Sequence, residues 1–273
     1  MVALIVFIVG ASLGSFVNVC VYRIPRGMSV VTPRSFCPSC RTILRWYELV
    51  PIVSYLFLRG RCRSCGGAIS FRYPLIELIS GGTLVLIFVR YGLDSYSITL
   101  AFFFMLLLIV FLIDWESLII PNGIIVAGIL IGVVLNLFIS FHQLIAALGS
   151  ALIAFLLMLL IRTAGNAVFK KETMGIGDTK LAALVGLFIG VQNFILAVWA
   201  AAMLGCLYWI VKRYMMGSPI EVSPDKSGQA VPAKDMKLPF GSFLSVTSFL
   251  VLLLSNYVDP LTKIFQLLYA DNY

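Results

Sequence analysis

The chain has 273 residues, of which 61% are hydrophobic and 12% charged, with a mean hydropathy of +1.04 and a formal net charge of +8. A soluble domain carries about 25% charged residues, so this composition excludes a soluble globular enzyme and indicates an all-α polytopic membrane protein. The whole surplus of positive charge equals that of residues 22 to 72, nine Arg less Glu48; arginines beside membrane spans meet anionic headgroups of the lipid bilayer, and no nucleic acid partner is expected.

Apolar runs long enough to cross about 30 Å of hydrocarbon lie near residues 2 to 21, 74 to 89, 98 to 113, 122 to 141, 144 to 161, 181 to 195, 194 to 211 and 240 to 258. About eight transmembrane helices follow, the sixth and seventh separated only by Val191-Gln192-Asn193. The first run, residues 1 to 21, lacks a basic stretch before its apolar core and is followed by Arg23 and Arg26, the pattern of a retained helix and not of a cleaved signal. Residues 22 to 73 alone have soluble character, with four cysteines, prolines at 25, 33, 38 and 51, and glycines at 60, 66 and 67. A module of this size is too small to hold itself together by burial, which calls for a metal or disulfides. Residues 74 to 258 form the transmembrane core, interrupted by a flexible loop over 212 to 239 that is rich in Gly, Ser, Pro and mixed charge. In the last stretch, 259 to 273, Leu261, Ile264, Phe265 and Leu268 fall at helical spacing and suit an external interfacial tail.

Alternating eight spans puts residues 22 to 73, 162 to 180 and 212 to 239 on one side, and these hold 9, 4 and 5 basic residues, 18 of the 20 in the chain. Basic loops stay in the cytoplasm, so both termini are expected outside. The same alternation, which rests on the Lys and Arg distribution alone, sets Asp114 and Asp178 at the cytoplasmic ends of the third and sixth spans.

Cys37-Pro38-Ser39-Cys40 and Cys62-Arg63-Ser64-Cys65 make a C-x2-C pair of the zinc-ribbon kind. Four thiolates satisfy tetrahedral zinc and leave no open position for water, so Zn2+ on Cys37, Cys40, Cys62 and Cys65 is expected to be structural; the alternative is four free buried thiols. Cys20 and Cys206 lie in spans and read as small apolar fillers.

An acid at the edge of hydrocarbon is costly to keep and marks a functional site, and two acids suggest aspartyl chemistry. A carboxyl pair that shares one proton lets one member act as base on a water while the other donates to the scissile carbonyl oxygen. Pro121 ends helical continuity soon after Asp114, and Gly175 and Gly177 free the backbone before Asp178. The competing reading has these aspartates capping helices or pairing with Arg162 or Lys180. His142, the one histidine, falls in an external turn, so H-E-x-x-H zinc proteolysis and Ser/His catalysis have no base, and no metal is expected at the aspartate pair. Glu77, in the second span, either binds a substrate group or pairs with Arg72. Glu116 and Glu172 flank the aspartates on the same rim and are candidates for steering a basic substrate.

Taken together, Gly14-Ser15-Phe16-Val17-Asn18 with Tyr22-Arg23-Ile24-Pro25, the two C-x-x-C pairs, Arg72 to Leu78, Asp114 with Ile120-Pro121, Gly175-Ile176-Gly177-Asp178-Thr179-Lys180 and Leu238 to Leu244 resemble the bacterial type IV prepilin peptidases over most of the chain. The resemblance implies a bifunctional inner-membrane enzyme. It would cleave the basic leader of type IV prepilins or pseudopilins with Asp114 and Asp178, then methylate the new N-terminus with S-adenosylmethionine. It also links the cysteine-bearing segment and Gly60 to methylation. Asn122 departs from the family, where an acidic residue commonly follows the proline. Three other readings stay open: a presenilin-like GxGD protease, although Ile113 and not Tyr precedes Asp114; a proton-coupled transporter using intramembrane carboxylates; and a non-catalytic zinc-ribbon scaffold.

Overall fold

Hydrocarbon permits only chain segments that satisfy their own backbone groups, and helices make up most of the described residues. The computed structural model describes residues 1–170, 172–216, 223–224, 230–231 and 238–254. Its helices are α1 (Val2–Arg23), α2 (Val53–Phe57), α3 (Arg72–Tyr91), α4 (Ser95–Ser117), α5 (Asn122–Ile139), α6 (Phe141–Phe169), α7 (Ile176–Met216) and α8 (Phe240–Leu254). Six of them are long and apolar enough to cross a membrane, and α8 is a shorter apolar helix. The chain is a multi-pass membrane protein.

Helix α7 is broken at Gly190, whose φ of 75° and ψ of 167° are not helical. Glycine adopts this conformation without a Cβ penalty, and Asn193 Nδ2 caps the interruption by donating to the Ile189 carbonyl at 3.0 Å. The interruption falls one residue before the expected Val191-Gln192-Asn193 break, so α7 supplies two apolar segments and the described chain holds about the expected number. The helices overrun the expected apolar runs. Helix α4 continues through Asp114 to Ser117, and α7 begins at Ile176 and continues to Met216, into the region expected to be loop. Beyond it, Ser223–Pro224 pairs antiparallel with Ala230–Val231; the rest of that loop up to 237 and the tail over 259 to 273 lie outside the described residues.

The described chain divides into two compact units, one comprising Met1–Ile113 and Pro121–Leu148, the other Asp114–Ile120 and the described residues from Gly149 onward. In the first, α1 and α3 approach backbone to backbone. A Cβ on Gly10 would lie 2.8 Å from the Gly81 Cα, and one on Gly14 would lie 2.7 Å from Ser80 Oγ and 2.9 Å from the Glu77 Cα. This is the small-residue seam that lets membrane helices pack by van der Waals contact where no hydrophobic drive exists. Asn18 Nδ2 closes the seam by donating to the Tyr73 carbonyl at 3.3 Å. Asp94 starts α4 by accepting the Ser97 N–H at 2.7 Å, which holds its carboxyl below the usual range.

In the second unit α6 and α7 also meet through a glycine, since a Cβ on Gly186 would lie 2.6 Å from that of Ala154. Thr247 Oγ1 of α8 donates to the Ala197 carbonyl of α7 at 2.9 Å. The Thr247 bond ties the middle of α8 to α7.

Candidate active site

The two C-x-x-C turns fold alike. In each, the first cysteine N–H bonds a carbonyl five residues on (Cys37 to Thr42 at 3.0 Å, Cys62 to Gly67 at 2.8 Å), and its own carbonyl accepts an N–H four residues on, from Arg41 or Gly66. Each turn is closed by one β-bridge, Phe36 with Ile43 and Arg61 with Ala68. The fourth position needs a left-handed backbone, and it is glycine in one turn (Gly66, φ 69°) and Arg41 (φ 58°) in the other. The pairs face each other with Cys37 Sγ and Cys65 Sγ 4.0 Å apart, Cys40 Sγ and Cys62 Sγ likewise 4.0 Å, and all four sulfurs within 4.8 Å of one another. A tetrahedral zinc with bonds of about 2.3 Å sets its sulfurs roughly 3.8 Å apart, so the cluster fits that ion.

The thiols are electrostatically uneven. Hydrogen bonding with the Thr42 side chain and backbone holds Cys40 down at about 6, and the Cys65 and Ser64 backbone lowers Cys62. Cys65, although the Gly67 N–H favours its thiolate, is pushed up to about 11 by the sulfurs of Cys40 and Cys62. Four thiolates this close repel unless a cation sits among them, and a metal ligand must be a thiolate.

The aspartates both belong to the second unit. Asp114, only 5% exposed, lies in the last turns of α4. Its Oδ2 accepts two hydrogen bonds from Ser242, one from the backbone N–H at 2.7 Å and one from the hydroxyl at 3.0 Å. Gly241 makes this approach possible, because a Cβ there would lie 3.1 Å from Asp114 Oδ2 and 2.8 Å from Ile120 Cδ1. Asp178 lies in the first turn of α7, where its carboxylate accepts the Gly175 backbone N–H. Ile120 packs against the second glycine as well, since a Cβ on Gly177 would lie 3.1 Å from that of Ile120. The structure thus brings together three distant pieces of chain: the end of α4 with its Leu118-Ile119-Ile120 elbow, the Gly-x-Gly-Asp turn and the start of α8. Leu118 turns the elbow with a φ of 53°, and Pro121 then caps α5.

The Gly-x-Gly-Asp turn is tied down from α6. Asn166 Oδ1 accepts both the N–H and the hydroxyl of Thr173, at 2.8 and 2.9 Å, and Arg162 Nε donates to the Met174 carbonyl at 3.0 Å. Arg162 therefore anchors the turn, and its ion-pair partner is Glu172 at 3.6 Å. Beside Asp114, the rings of Trp115, Tyr208 and Phe243 contact one another at 5.6 to 6.3 Å between centroids.

The remaining expected residues sort by position. Glu116 is exposed, and Glu172 is 87% exposed. Glu77 is buried in the α1–α3 seam and accepts the Ile52 N–H at 2.7 Å and the Ser15 hydroxyl. Gly60 turns the chain at a φ of 67°, and a Cβ there would lie 2.9 Å from the Tyr55 hydroxyl. Ser242 is the partner of Asp114 that spacing alone does not reveal. The available signal is its place, a small polar side chain after a glycine where the last apolar run begins, within the Leu238 to Leu244 stretch.

Two family models match the chain: the bacterial peptidase A24 N-terminal domain over residues 8–91 and the type IV leader peptidase family over residues 101–210. Among curated relatives, proteins called prepilin leader peptidase/N-methyltransferase are 36% identical over 215 residues in Myxococcus xanthus, 35% over 204 in Bacillus subtilis and 31% over 268 in Pseudomonas putida. These matches cover 79%, 75% and 90% of this chain and 64%, 80% and 88% of the respective relatives, so the match spans just under two thirds of the Myxococcus protein. No solved structure matches. With its two acids on the Gly-x-Gly-Asp turn and the α4 end, and with its four-cysteine module, the chain belongs to the type IV leader peptidase family.

Proposed function

We propose that this chain cleaves the basic leader from type IV prepilins or pseudopilins at the cytoplasmic face of the inner membrane and then methylates the new N-terminus. Both termini lie outside in this reading, and the Arg-rich module faces anionic headgroups and no nucleic acid. The observation that carries the peptidase half is the pair of Ser242 donors on one oxygen of Asp114, opposite a second acid held by its own glycine turn. With Oδ2 occupied as an acceptor, Asp114 keeps Oδ1 to take a proton from water, and Asp178 holds the shared proton for the scissile carbonyl oxygen. The hydroxyl adds to the carbonyl carbon, and the tetrahedral species collapses with a proton returned to the leaving amine. Such a carboxyl pair needs no metal. Glu116 and Glu172 add negative charge beside the site and steer the basic leader, with the Glu172 contribution reduced by Arg162.

For the second half, S-adenosylmethionine supplies an electrophilic methyl group, and the substrate α-amine must be unprotonated to accept it. The link of Gly60 to methylation requires no contact with the donor, since a side chain at Gly60 would meet the Tyr55 hydroxyl. Gly60 and Glu77 instead shape and place the module, Gly60 by its left-handed turn and Glu77 by its bond to Ile52. Zinc on Cys37, Cys40, Cys62 and Cys65 locks the same module.

Asp114→Asn and Asp178→Asn each lower cleavage by more than about a hundredfold while a pre-cleaved pilin is still methylated; mass spectrometry of the pilin N-terminus reads both, and turnover surviving either change sinks the acid pair. Ser242→Ala keeps the backbone donor and loses the hydroxyl donor, so kcat falls on the order of tenfold, from a charged hydrogen bond of about 1.5 kcal/mol; an unchanged kcat removes Ser242 from the mechanism. Cys62→Ser with Cys65→Ser abolishes zinc in elemental analysis and impairs methylation more than cleavage, and loss of cleavage alone contradicts this division. Glu116→Gln with Glu172→Gln shrinks the cleavage advantage of a leader with its Lys residues over one without them. An equal advantage in variant and parent rules out steering.

A further inference from the structure

The four-cysteine module has no hydrophobic core of its own. Between residues 24 and 71 the only buried apolar side chains are Cys37 and Cys62. Its large apolar residues point outward instead: Trp46 is 75% exposed, Leu56 68% and Phe57 85%, with Leu49 and Val53 also exposed. Val53, Leu56 and Phe57 follow i, i+3, i+4 spacing on α2 and so share one helix face. Large apolar side chains left exposed along one short segment of a soluble module mark an interaction surface.

The same segment is fixed in depth. Ile52, in the turn between Trp46–Leu49 and α2, donates its N–H to Glu77 Oε2 at 2.7 Å. Glu77 lies five residues into the spanning helix α3, about 7.5 Å along its axis from Arg72. Tyr55 of α2 meets Phe71, just before α3, with ring centroids 6.4 Å apart. The segment therefore does not rise away from the helices that tether it. It folds back beside the first turns of α3, over a distance comparable with the roughly 5–7 Å of headgroup layer on each side of the hydrocarbon. Its polar atoms suit that layer. Arg45 and Arg63 both donate to the Tyr47 hydroxyl, and the Arg63 guanidinium lies 5.6 Å from the Tyr47 ring centre. Arg59 and Arg61 are exposed next to Phe57. Tryptophan and tyrosine at the interface, with arginine stems lying along apolar surface and heads on headgroups, is the pattern of an interfacial anchor.

We propose that residues 46–58 are such an anchor: Trp46, Leu49, Val53, Leu56 and Phe57 sit among the upper acyl chains of the bilayer beside α3, Arg45, Arg59 and Arg63 engage anionic headgroups, and the four-cysteine cluster is thereby seated on the membrane surface. The occupant is lipid and not a protein partner, because the Glu77 bond sets the segment at headgroup depth beside a spanning helix. The proposal rests on α1 and α3 spanning the bilayer and is independent of the peptidase chemistry.

The test uses full-length protein in bilayer discs of phosphatidylethanolamine and phosphatidylglycerol, with the Trp46 emission isolated as the difference between parent and Trp46→Phe. Lipids brominated high on the acyl chain should quench that component at least twofold, and acrylamide should quench it severalfold less than free tryptophan. Quenching by acrylamide as efficient as that of free tryptophan, with no effect of brominated lipid, overturns the proposal. Glu77→Ala, which releases Ile52, should raise acrylamide quenching of Trp46 severalfold, whereas Glu77→Gln keeps an acceptor oxygen and should leave it unchanged. Equal quenching in parent and Glu77→Ala overturns the part assigned to Glu77, and the parent measurement stands whether or not that variant folds.

Discussion

A carboxylate inside a membrane helix is tolerated only when fixed donors replace the water it has lost. Among the described residues the buried acidic side chains are Asp114 and Glu77, and both solve the problem in the same way. Each accepts a backbone N–H at 2.7 Å from a segment far away in the sequence, Ser242 at a separation of 128 residues and Ile52 at 25. The acid thereby becomes a fastener. Glu77 holds the cysteine module to the α1–α3 pair, and Asp114 holds the start of α8 to the end of α4. A backbone N–H cannot rotate away or be protonated, so these bonds persist through changes in the substrate. In the proposed chemistry the Asp114 fastener is also the reactive group, with Oδ2 committed to Ser242 and the other oxygen left for the reaction.

The glycines make those bonds geometrically possible. Gly241 admits the α8 start to within contact of Asp114 and Ile120, and Gly177 admits Ile120 to the turn that carries Asp178. Ile120 is therefore the shared floor under two loops, and the Leu118 turn that presents it is held by the Leu118 N–H on the Asp114 carbonyl at 2.9 Å. The polar ties from Asn166 and Arg162 to residues 173 and 174 serve the same end. They hold the irregular backbone that precedes α7, which has no helical hydrogen bonds of its own, beside Asp178.

Much of this architecture is legible in the sequence. Long apolar runs report spans because hydrocarbon thickness sets helix length, and the C-x-x-C pairs report their own proximity because a metal needs four ligands together. Asp114 and Asp178 stand out because ionisable groups are rare in such runs. Helix ends were less legible: α4 runs past Asp114 and α6 reaches Phe169, since helical hydrogen bonding continues beyond the hydrocarbon boundary that hydropathy detects. Ser242 was not legible as a partner of Asp114. Serine is common at helix starts for local reasons, and nothing in spacing reports a bond across more than a hundred residues. The role of Glu77 was undecided between a substrate group and Arg72, and the structure supplies a third partner, a backbone amide that no side-chain pattern can announce.

Glu77 and the cysteines also explain how so small a module keeps a shape. Below about 70 residues a hydrophobic core rarely supplies enough stability, and a staple is needed. Here the core is missing altogether, because the apolar residues of the 46–58 segment face outward and only two cysteines are buried. Three other constraints take its place: the four sulfurs gathered within 4.8 Å, the spanning helices α1 and α3 that hold both ends, and the Ile52 bond to Glu77. Each constrains a different part of the loop, so parting of the sulfurs frees the two turns while the 46–58 segment stays attached to α3. A module organised in this way can open around its cysteine cluster without leaving the membrane, which a module with a conventional core could not do without unfolding.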